Sequence, residues 1–183
     1  VAALADLYVN DAFGTAHRAH ASTEGVAHFL PGVAGLLMQR ELEMLGAVLG
    51  EAQRPLTAVL GGNKASDKLG LINNLLGKVD HLLTGGGMCF TLMRAMGMPT
   101  GASLVEEEQV DAVGEALKRA EGMGTRIHVP LDLVVADRFA EDAETRVVDA
   151  SNIPEGWMGL DIGTRTVEAY REVILASQTI FWN

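Results

Sequence analysis

The sequence predicts an α/β protein built on a doubly wound, mostly parallel sheet. Three observations predict it. Short apolar runs of strand length alternate with longer stretches of helical period along the chain. The clearest run, Leu56-Thr57-Ala58-Val59-Leu60, is broken by Gly61-Gly62 and followed by an amphipathic stretch with Leu69, Leu71, Ile72 and Leu75 on one stripe. A second run, His81-Leu82-Leu83-Thr84, ends in Gly85-Gly86-Gly87 before another helical stretch. Strand, glycine turn and helix start are the parts of a βα unit.

Taken in order, Ala2 to Val9 reads as a helix end running into a short strand at Leu7-Tyr8-Val9, and Asn10 to Ser22 reads as a loop. Pro31-Gly32 opens a long helix, Val33 to Gly50, in which Val33, Leu36, Leu37, Leu42, Leu45, Val48 and Leu49 recur near helical spacing. Glu51-Ala52-Gln53-Arg54-Pro55 resets the chain before the central strand. A long helix entering a strand of different period marks a boundary between two lobes. Ser66 has the chemistry of an N-cap for the helix after the central strand. Met88 to Met96 is the next helix, its methionines serving as core filler. Leu104 to Ala120 is a further helix, with Glu106-Glu107-Glu108 as a solvated first turn that suits the helix dipole. Arg126 to Pro130, Leu131 to Ala136 and Arg146 to Asp149 read as strands, and Ile153 to Gly163 as a glycine-rich loop. Thr164 to Ala176 is a helix, and Gln178 to Trp182 a final strand.

Composition narrows the function classes. The chain has 183 residues, the length of one domain or of one domain plus part of another, and 48% are hydrophobic. The net charge of −10 argues against non-specific nucleic-acid binding, which needs a basic surface, but allows a small anionic ligand held by local cations. The single cysteine, Cys89, excludes an internal disulfide and fits a reducing compartment. No apolar run reaches transmembrane length, so no membrane partner is expected. The chain starts on Val1 and ends on Phe181-Trp182-Asn183, directly after a strand-like run, and is expected to be a fragment.

Two stretches carry the chemistry. Between Gly61 and Lys68 the backbone can approach a ligand closely, and the first helical turn points free N–H groups at it. Lys64 and Lys68 lie four apart, on one face if the backbone is helical. This is either a polyphosphate site or a tight βα turn with two solvated lysines. In the loop Asn10 to Ser22, His17, Arg18 and His20 fall within four positions. No further ligand follows at metal spacing, so the cluster is either a solvated loop or a grip on an anionic substrate, with Arg18 offering a planar fork. In open α/β sheets ligands bind beyond the carboxyl ends of the strands, and Gly61 to Lys64, Gly85 to Gly87 and Asn183 all fall at that edge.

The loop Val9-Asn10-Asp11-Ala12-Phe13-Gly14-Thr15-Ala16-His17-Arg18-Ala19-His20 resembles phosphoglycerate kinase. So do Gly61-Gly62-Asn63-Lys64-Ala65-Ser66-Asp67-Lys68, Leu71-Ile72-Asn73-Asn74-Leu75, Gly85-Gly86-Gly87-Met88, Ile153 to Asp161 and Ile180-Phe181-Trp182-Asn183. The motifs stand in the family's order and at its spacing, over essentially the whole chain. The resemblance implies a Rossmann-like sheet within a two-lobed kinase. It implies reversible phosphoryl transfer from 1,3-bisphosphoglycerate to ADP in glycolysis, Mg²⁺ accompanying ADP or ATP, a cytoplasmic location and a monomer when full length. By resemblance, residues 1–32 end the phosphoglycerate-binding lobe, 33–50 form the interlobe helix, and 51–183 belong to the nucleotide-binding lobe, truncated at its C-terminal end. Arg18 binds phosphoglycerate. Lys64 and Lys68 are catalytic and contact phosphates. Gly62, Asn63, Gly86, Gly87, Gly159, Leu160 and Asn183 contact nucleotide, Leu160 against the adenine. No metal ligand is assigned, and Asp67, which matches an acidic position near the metal, is the one candidate. Lysines and an arginine suit phosphoryl transfer, which needs alignment and positive charge around the equatorial oxygens.

Two departures from the family stand out. Asn63 replaces a small residue, commonly alanine. The chain also lacks most of the phosphoglycerate lobe, and the family's later Gly-Pro, ribose-binding glutamate and metal-binding aspartate. A competing expectation is therefore a non-catalytic fragment with a weakened nucleotide site or only an interaction surface. A Rossmann-type dehydrogenase is disfavoured, because the first glycine loop is not GxGxxG and no acidic residue closes the second strand for a ribose.

Overall fold

A computed structural model describes residues 1–50 and 52–183. Glu51, part of the stretch expected to reset the chain, lies outside the described residues, as do the side chains of Val48 and Leu49 in the long helix's apolar repeat. The chain forms two compact units, Val1–Ala52 and Gln53–Asn183.

The first unit is small. Strands β1 (Tyr8–Asn10) and β2 (Gly32–Ala34) pair in parallel, Tyr8 opposite Gly32 and Asn10 opposite Ala34. Single turns of 3₁₀ helix occupy Ala2–Leu4, Phe13–Thr15 and Gly25–His28. Helix α1 runs from Leu36 to Leu49, three residues shorter at its start than its apolar repeat implies. The reason is the β1–β2 ladder. It claims Gly32 to Ala34 and continues as a hydrogen bond from the Gly35 N–H to the Asn10 carbonyl, 2.8 Å. Only then does the helix begin, with Gly35 as N-cap and the carboxylate of Asp11 accepting from the Met38 N–H at 2.9 Å. A Cβ on Gly35 would run into that carboxylate. Val26 and Met38 are this unit's buried hydrophobic residues among those described, while Leu36, Leu37 and Leu42 are exposed. A unit of this size has little interior to offer.

The second unit holds two sheets. Strands β3 (Leu56–Leu60), β4 (His81–Thr84), β5 (Arg126–His128) and β9 (Thr179–Trp182) form a parallel sheet in the order β5-β4-β3-β9. The chain moves outward from β3 through β4 to β5 and returns on the other side of β3 as β9, so strand order reverses at β3. Strands β6 (Asp132–Ala136), β7 (Thr145–Asp149) and β8 (Met158–Ile162) form a separate antiparallel sheet with β6 in the middle. The glycine-rich stretch Ile153 to Gly163, expected to be a loop throughout, thus contains strand β8.

Helices α2 (Ser66–Leu75), α3 (Met88–Ala95), α4 (Val110–Gly122) and α5 (Thr164–Ala176) complete the unit. Every residue of α3 from Met88 to Met93 is buried, so Met88 and Met93 are core filler. Met96, expected to be core as well, is the C-cap of α3 and 50% exposed, because the helix has already left the core there. Cys89, Phe90 and Met93 pack in one cluster with Leu133, Val135, Ala150 and Ile153. Burial pushes the Cys89 thiol up to about 12, so it is an inert core residue at neutral pH.

Two expected helix starts move. Ser66 is the first residue of α2, not its cap; the N-cap is Ala65, without a side-chain hydrogen bond. The expected helix from Leu104 begins only at Val110, after a 3₁₀ turn at Glu107–Gln109. Glu106 has been drawn elsewhere, as described below. Helix α5 begins where the sequence places it, but its cap is remote. Gly163 is the N-cap, and the carboxylate of Asp132, 2% exposed, accepts from the N–H groups of Arg165 (3.0 Å) and Thr166 (2.8 Å). Burial alone would raise the carboxyl of Asp132. The hydrogen bonds from Thr166 and Arg165 outweigh it and hold the group below its usual range.

Between β4, β5 and α5 lies a polar cluster. His81 Nδ1 is 3.0 Å from His128 Nε2, and the two rings are tilted at 5.2 Å. Burial, His81 and Arg126 push His128 down from 6.5 to about 4. Between those two values the unfolded chain takes up a proton that the folded chain does not. Stability from this group is therefore complete above pH 6.5 and is lost as pH falls toward 4. We expect a loss on the order of 1 kcal/mol after allowance for solvent screening of the partly buried ring. His128→Gln should remove this component from melting curves recorded between pH 7 and 4; an unchanged slope would mean that the ring titrates as it does in the unfolded chain.

Candidate functional site

The carboxyl ends of β3, β4 and β9 meet at the point where strand order reverses, and two glycine loops are packed there backbone to backbone. The Asn183 N–H donates to the Val59 carbonyl (3.0 Å), and the Gly61 N–H donates back to the Asn183 carbonyl (3.1 Å). The Gly85 N–H donates to the Leu60 carbonyl (3.1 Å) and the Met88 N–H to the Gly62 carbonyl (2.9 Å). Gly86 has φ +68°, and a Cβ there would lie 2.7 Å from the Gly62 oxygen; one on Gly87 would lie 2.8 Å from the Asn63 oxygen. Side chains at these positions would push the two loops apart, which is the physical requirement for glycine here. From α5, the buried Tyr170 hydroxyl donates to the Thr84 carbonyl (2.8 Å), one residue before the second glycine loop.

The structure brings Gly62, Asn63, Lys68, Gly86, Gly87 and Asn183 together on this edge. Lys68 Nζ donates to the Asn183 side-chain oxygen. Lys64 and Asp67 are exposed on the same turn, one just before α2 and the other in its first turn. Beside the loops is a cleft of about 420 Å³ lined by Asn63, Gly87, Leu104, Phe139, Gly159 and Leu160. Gly159 and Leu160 reach it from the antiparallel sheet. Val134 pairs with Asp161 and Val135 with Gly159, so Leu160 is the extra residue of a β-bulge, a device that turns a side chain out of the regular alternation. Phe90 lies directly under Gly159, and a Cβ there would enter its ring. The Gly159 N–H donates to Ser103 Oγ at 2.8 Å.

Sequence reasoning missed Leu104 and Phe139, for which no local pattern exists. It also missed Glu106. That carboxylate accepts from both the N–H (3.0 Å) and the hydroxyl (2.6 Å) of Ser66, at the start of α2. The hydrogen bonds from Ser66 hold its carboxyl below the usual range. Glu106 is therefore the remote cap of α2. Its neighbour Glu107 pairs with Arg94 of α3 at 3.1 Å. The expected solvated acidic turn is thus divided between two helices, and the first backbone donor of α2 already has an anionic partner.

His17, Arg18 and His20 lie in the first unit, on the exposed loop after β1. The Arg18 carbonyl accepts from the His20 N–H (2.9 Å) and the Thr23 hydroxyl (2.5 Å), a local fold that keeps this segment compact. Among the described residues no group of three histidine, cysteine, aspartate or glutamate side chains is placed to hold a metal, and no helix is long and apolar enough to cross a membrane.

A parallel α/β sheet with two glycine loops at its switch point and a lysine reaching from α2 to the end of β9 defines the class: a doubly wound α/β protein with an anion-suited carboxyl edge. Comparison with known proteins is more specific. The family model described as phosphoglycerate kinase matches residues 1–183. A phosphoglycerate kinase of Rubrobacter xylanophilus is 58% identical over 178 residues, covering 97% of this chain and 45% of that protein. A cytosolic phosphoglycerate kinase of Nicotiana tabacum is 52% identical over 184 residues, covering 100% of this chain and 46% of that protein. The structure of phosphoglycerate kinase from Coxiella burnetii superposes with a TM-score of 0.90 at 40% identity, over 100% of this chain and 47% of that one. The Pyrococcus horikoshii OT3 enzyme superposes with a TM-score of 0.84 at 31% identity, over 100% and 46%. The chain belongs to the phosphoglycerate kinase family, and it spans slightly less than half the length of these relatives.

Proposed function

We propose that this chain is a portion of a phosphoglycerate kinase, a phosphotransferase that acts in glycolysis on a carboxyl-group acceptor. The reaction is reversible phosphoryl transfer from 1,3-bisphosphoglycerate to ADP, giving 3-phosphoglycerate and ATP. The observation that carries this reading is the convergence of both glycine loops, Lys68 and Asn183 on one sheet edge, next to an apolar cleft. An adenine fits the chemistry of that cleft, with Leu160 against the ring. The backbone of Gly62, Asn63, Gly86, Gly87 and Gly159, together with Asn183, accommodates the rest of the nucleotide.

In the forward direction an oxygen of the ADP β-phosphate attacks the acyl phosphate. The bond from phosphorus to the carboxyl oxygen breaks and the carboxylate leaves. No proton has to be moved, so Lys64 and Lys68 act by placing positive charge on the transferring oxygens. Arg18 binds phosphoglycerate through its bidentate fork. The first unit then represents the end of the phosphoglycerate lobe with the interlobe helix, and the second the nucleotide lobe. Mg²⁺ would neutralise charge on the nucleotide phosphates. One exposed carboxylate, Asp67, suits an ion that brings phosphate and water as its other ligands. The full-length protein is a cytoplasmic monomer in this reading, with nucleotide and phosphoglycerate as its partners.

The chain's coverage of less than half of its relatives favours a second reading for the chain by itself, namely a weakened nucleotide site without turnover. Calorimetry with ADP and a coupled ATP-forming assay, on this chain and on the complete kinase into which it fits, separate the two. ADP binding by both proteins with turnover only by the complete kinase is the expected result. Equal turnover would remove the second reading, and absence of ADP binding by the chain would remove the nucleotide site.

A further inference from the structure

Glu106 stands where a phosphate would be expected. The start of α2 follows the first glycine loop and sits between Lys64 and Lys68, yet its Ser66 N–H and hydroxyl both point at the Glu106 carboxylate, at 3.0 and 2.6 Å. The same residue is fixed at its other end, because its N–H donates to the hydroxyl of Thr91 at 3.1 Å. Thr91 is 2% exposed in α3, the helix that follows the second glycine loop. Glu106 therefore ties together the two helices that open from the two loops. It also ends the segment whose Leu104 lines the apolar cleft.

We propose that Glu106 is a positioning residue that works as an internal stand-in for phosphate. Its carboxylate fills the anion position at the start of α2, which fixes the turn bearing Lys64 and Lys68 and leaves those two side chains, and not the helix amides, to bind the ligand's phosphates. The placement has a physical rationale. A phosphate seated on the amides would be held equally before and after transfer, which gives binding but no rate. A fixed carboxylate there confines anion recognition to flexible cations that can follow the moving group. The proposal rests on the nucleotide reading above for its ligand, but not for its structural half.

The test uses the full 183-residue chain with inorganic phosphate as the first probe and ADP as the second. Backbone-amide NMR of Ser66 is recorded during a phosphate titration. In the unaltered protein the Ser66 signal should stay in place, because its partner is already present. In Glu106→Ala it should move with phosphate, and ADP affinity should fall about fivefold to tenfold as the turn loosens. Glu106→Gln, which keeps an oxygen acceptor at the same reach, should restore ADP affinity to within about threefold of the original. A Ser66 signal that shifts with phosphate in the unaltered protein overturns the proposal, because the amides are then open to ligand. So does Glu106→Ala with unchanged ADP affinity and an unmoved Ser66 signal. If ADP binds none of the proteins while Ser66 behaves as stated, the nucleotide reading fails and the hold of Glu106 on α2 stands.

Discussion

Asp132→Ala is expected to destabilise the second unit by on the order of 3 kcal/mol and to lower its melting temperature by roughly 10 °C. The carboxylate is 2% exposed and serves three donors: the N–H groups of Arg165 and Thr166, and the Thr166 hydroxyl at 2.6 Å. Truncation leaves Thr166, itself 0% exposed, with a buried N–H lacking its acceptor, and opens a void beneath Gly163. Unpaired buried donors cost about 1–3 kcal/mol each, far more than a bonded pair gains. Asp132→Asn keeps one oxygen and should lose about half as much. Urea unfolding followed by circular dichroism measures both; a loss below about 1 kcal/mol for the alanine variant would mean that water or a neighbouring group replaces the carboxylate.

Lys64→Ala and Lys68→Ala, each made in the complete kinase, should lower kcat by roughly 100-fold, about 2.7 kcal/mol of transition-state stabilisation, while raising the nucleotide KM only modestly. In the proposed reading, ground-state contact with nucleotide would be distributed over the loop backbones, the cleft and Asn183, so one lysine would be a small part of it. The transferring group is different, because the charge spread over its equatorial oxygens moves from one oxygen partner to the other and calls for a cation on a flexible stem that follows it. Lys68 already reaches across to the Asn183 side chain, and Lys64 is exposed beside it on the loop. Lys78→Ala is the control, since Lys78 lies beyond the end of α2 on the exposed surface. Retained kcat with lost affinity in both site variants would recast the two lysines as ground-state phosphate binders.

Much of the second unit was legible because its signals are local. Leu56 to Leu60 and His81 to Thr84 are short apolar runs closed by glycine, and both are strands. Thr164 to Ala176 carries a helical repeat flanked by strand-like sequence, and it is a helix over that whole range. What escaped were features decided at a distance. Gly159 and Leu160 looked like loop because glycine weakens a strand pattern, but this glycine exists to admit the Phe90 ring beneath β8. The start of α1 was misplaced because Val33 fits a helical repeat equally well, until β1 pairs with it. Glu106 read as an exposed helical turn because nothing near it in sequence announces Ser66, forty residues earlier. At the site, the glycine loops were visible as composition. The cleft beside them was not, since Leu104 and Phe139 come from segments with no motif.

The remote carboxylates bear on how this protein reaches its native state. Helices α1, α2 and α5 each take an acidic partner from far along the chain: Asp11 for Met38, Glu106 for Ser66, and Asp132 for Arg165 and Thr166. None of the three has a side-chain hydrogen bond from its own N-cap residue. Starting a helix is the slow, unfavourable step in its formation, and here the group that would assist it arrives only when a distant segment has been brought into place. Each such contact requires closure of a long loop before it gives anything back, which raises contact order and slows folding relative to a bundle with local caps. Excised peptides spanning α2 or α5 would accordingly be largely coil in water. The helices of this chain are products of its tertiary structure, and the second unit acquires α2 and α5 together with the segments that cap them.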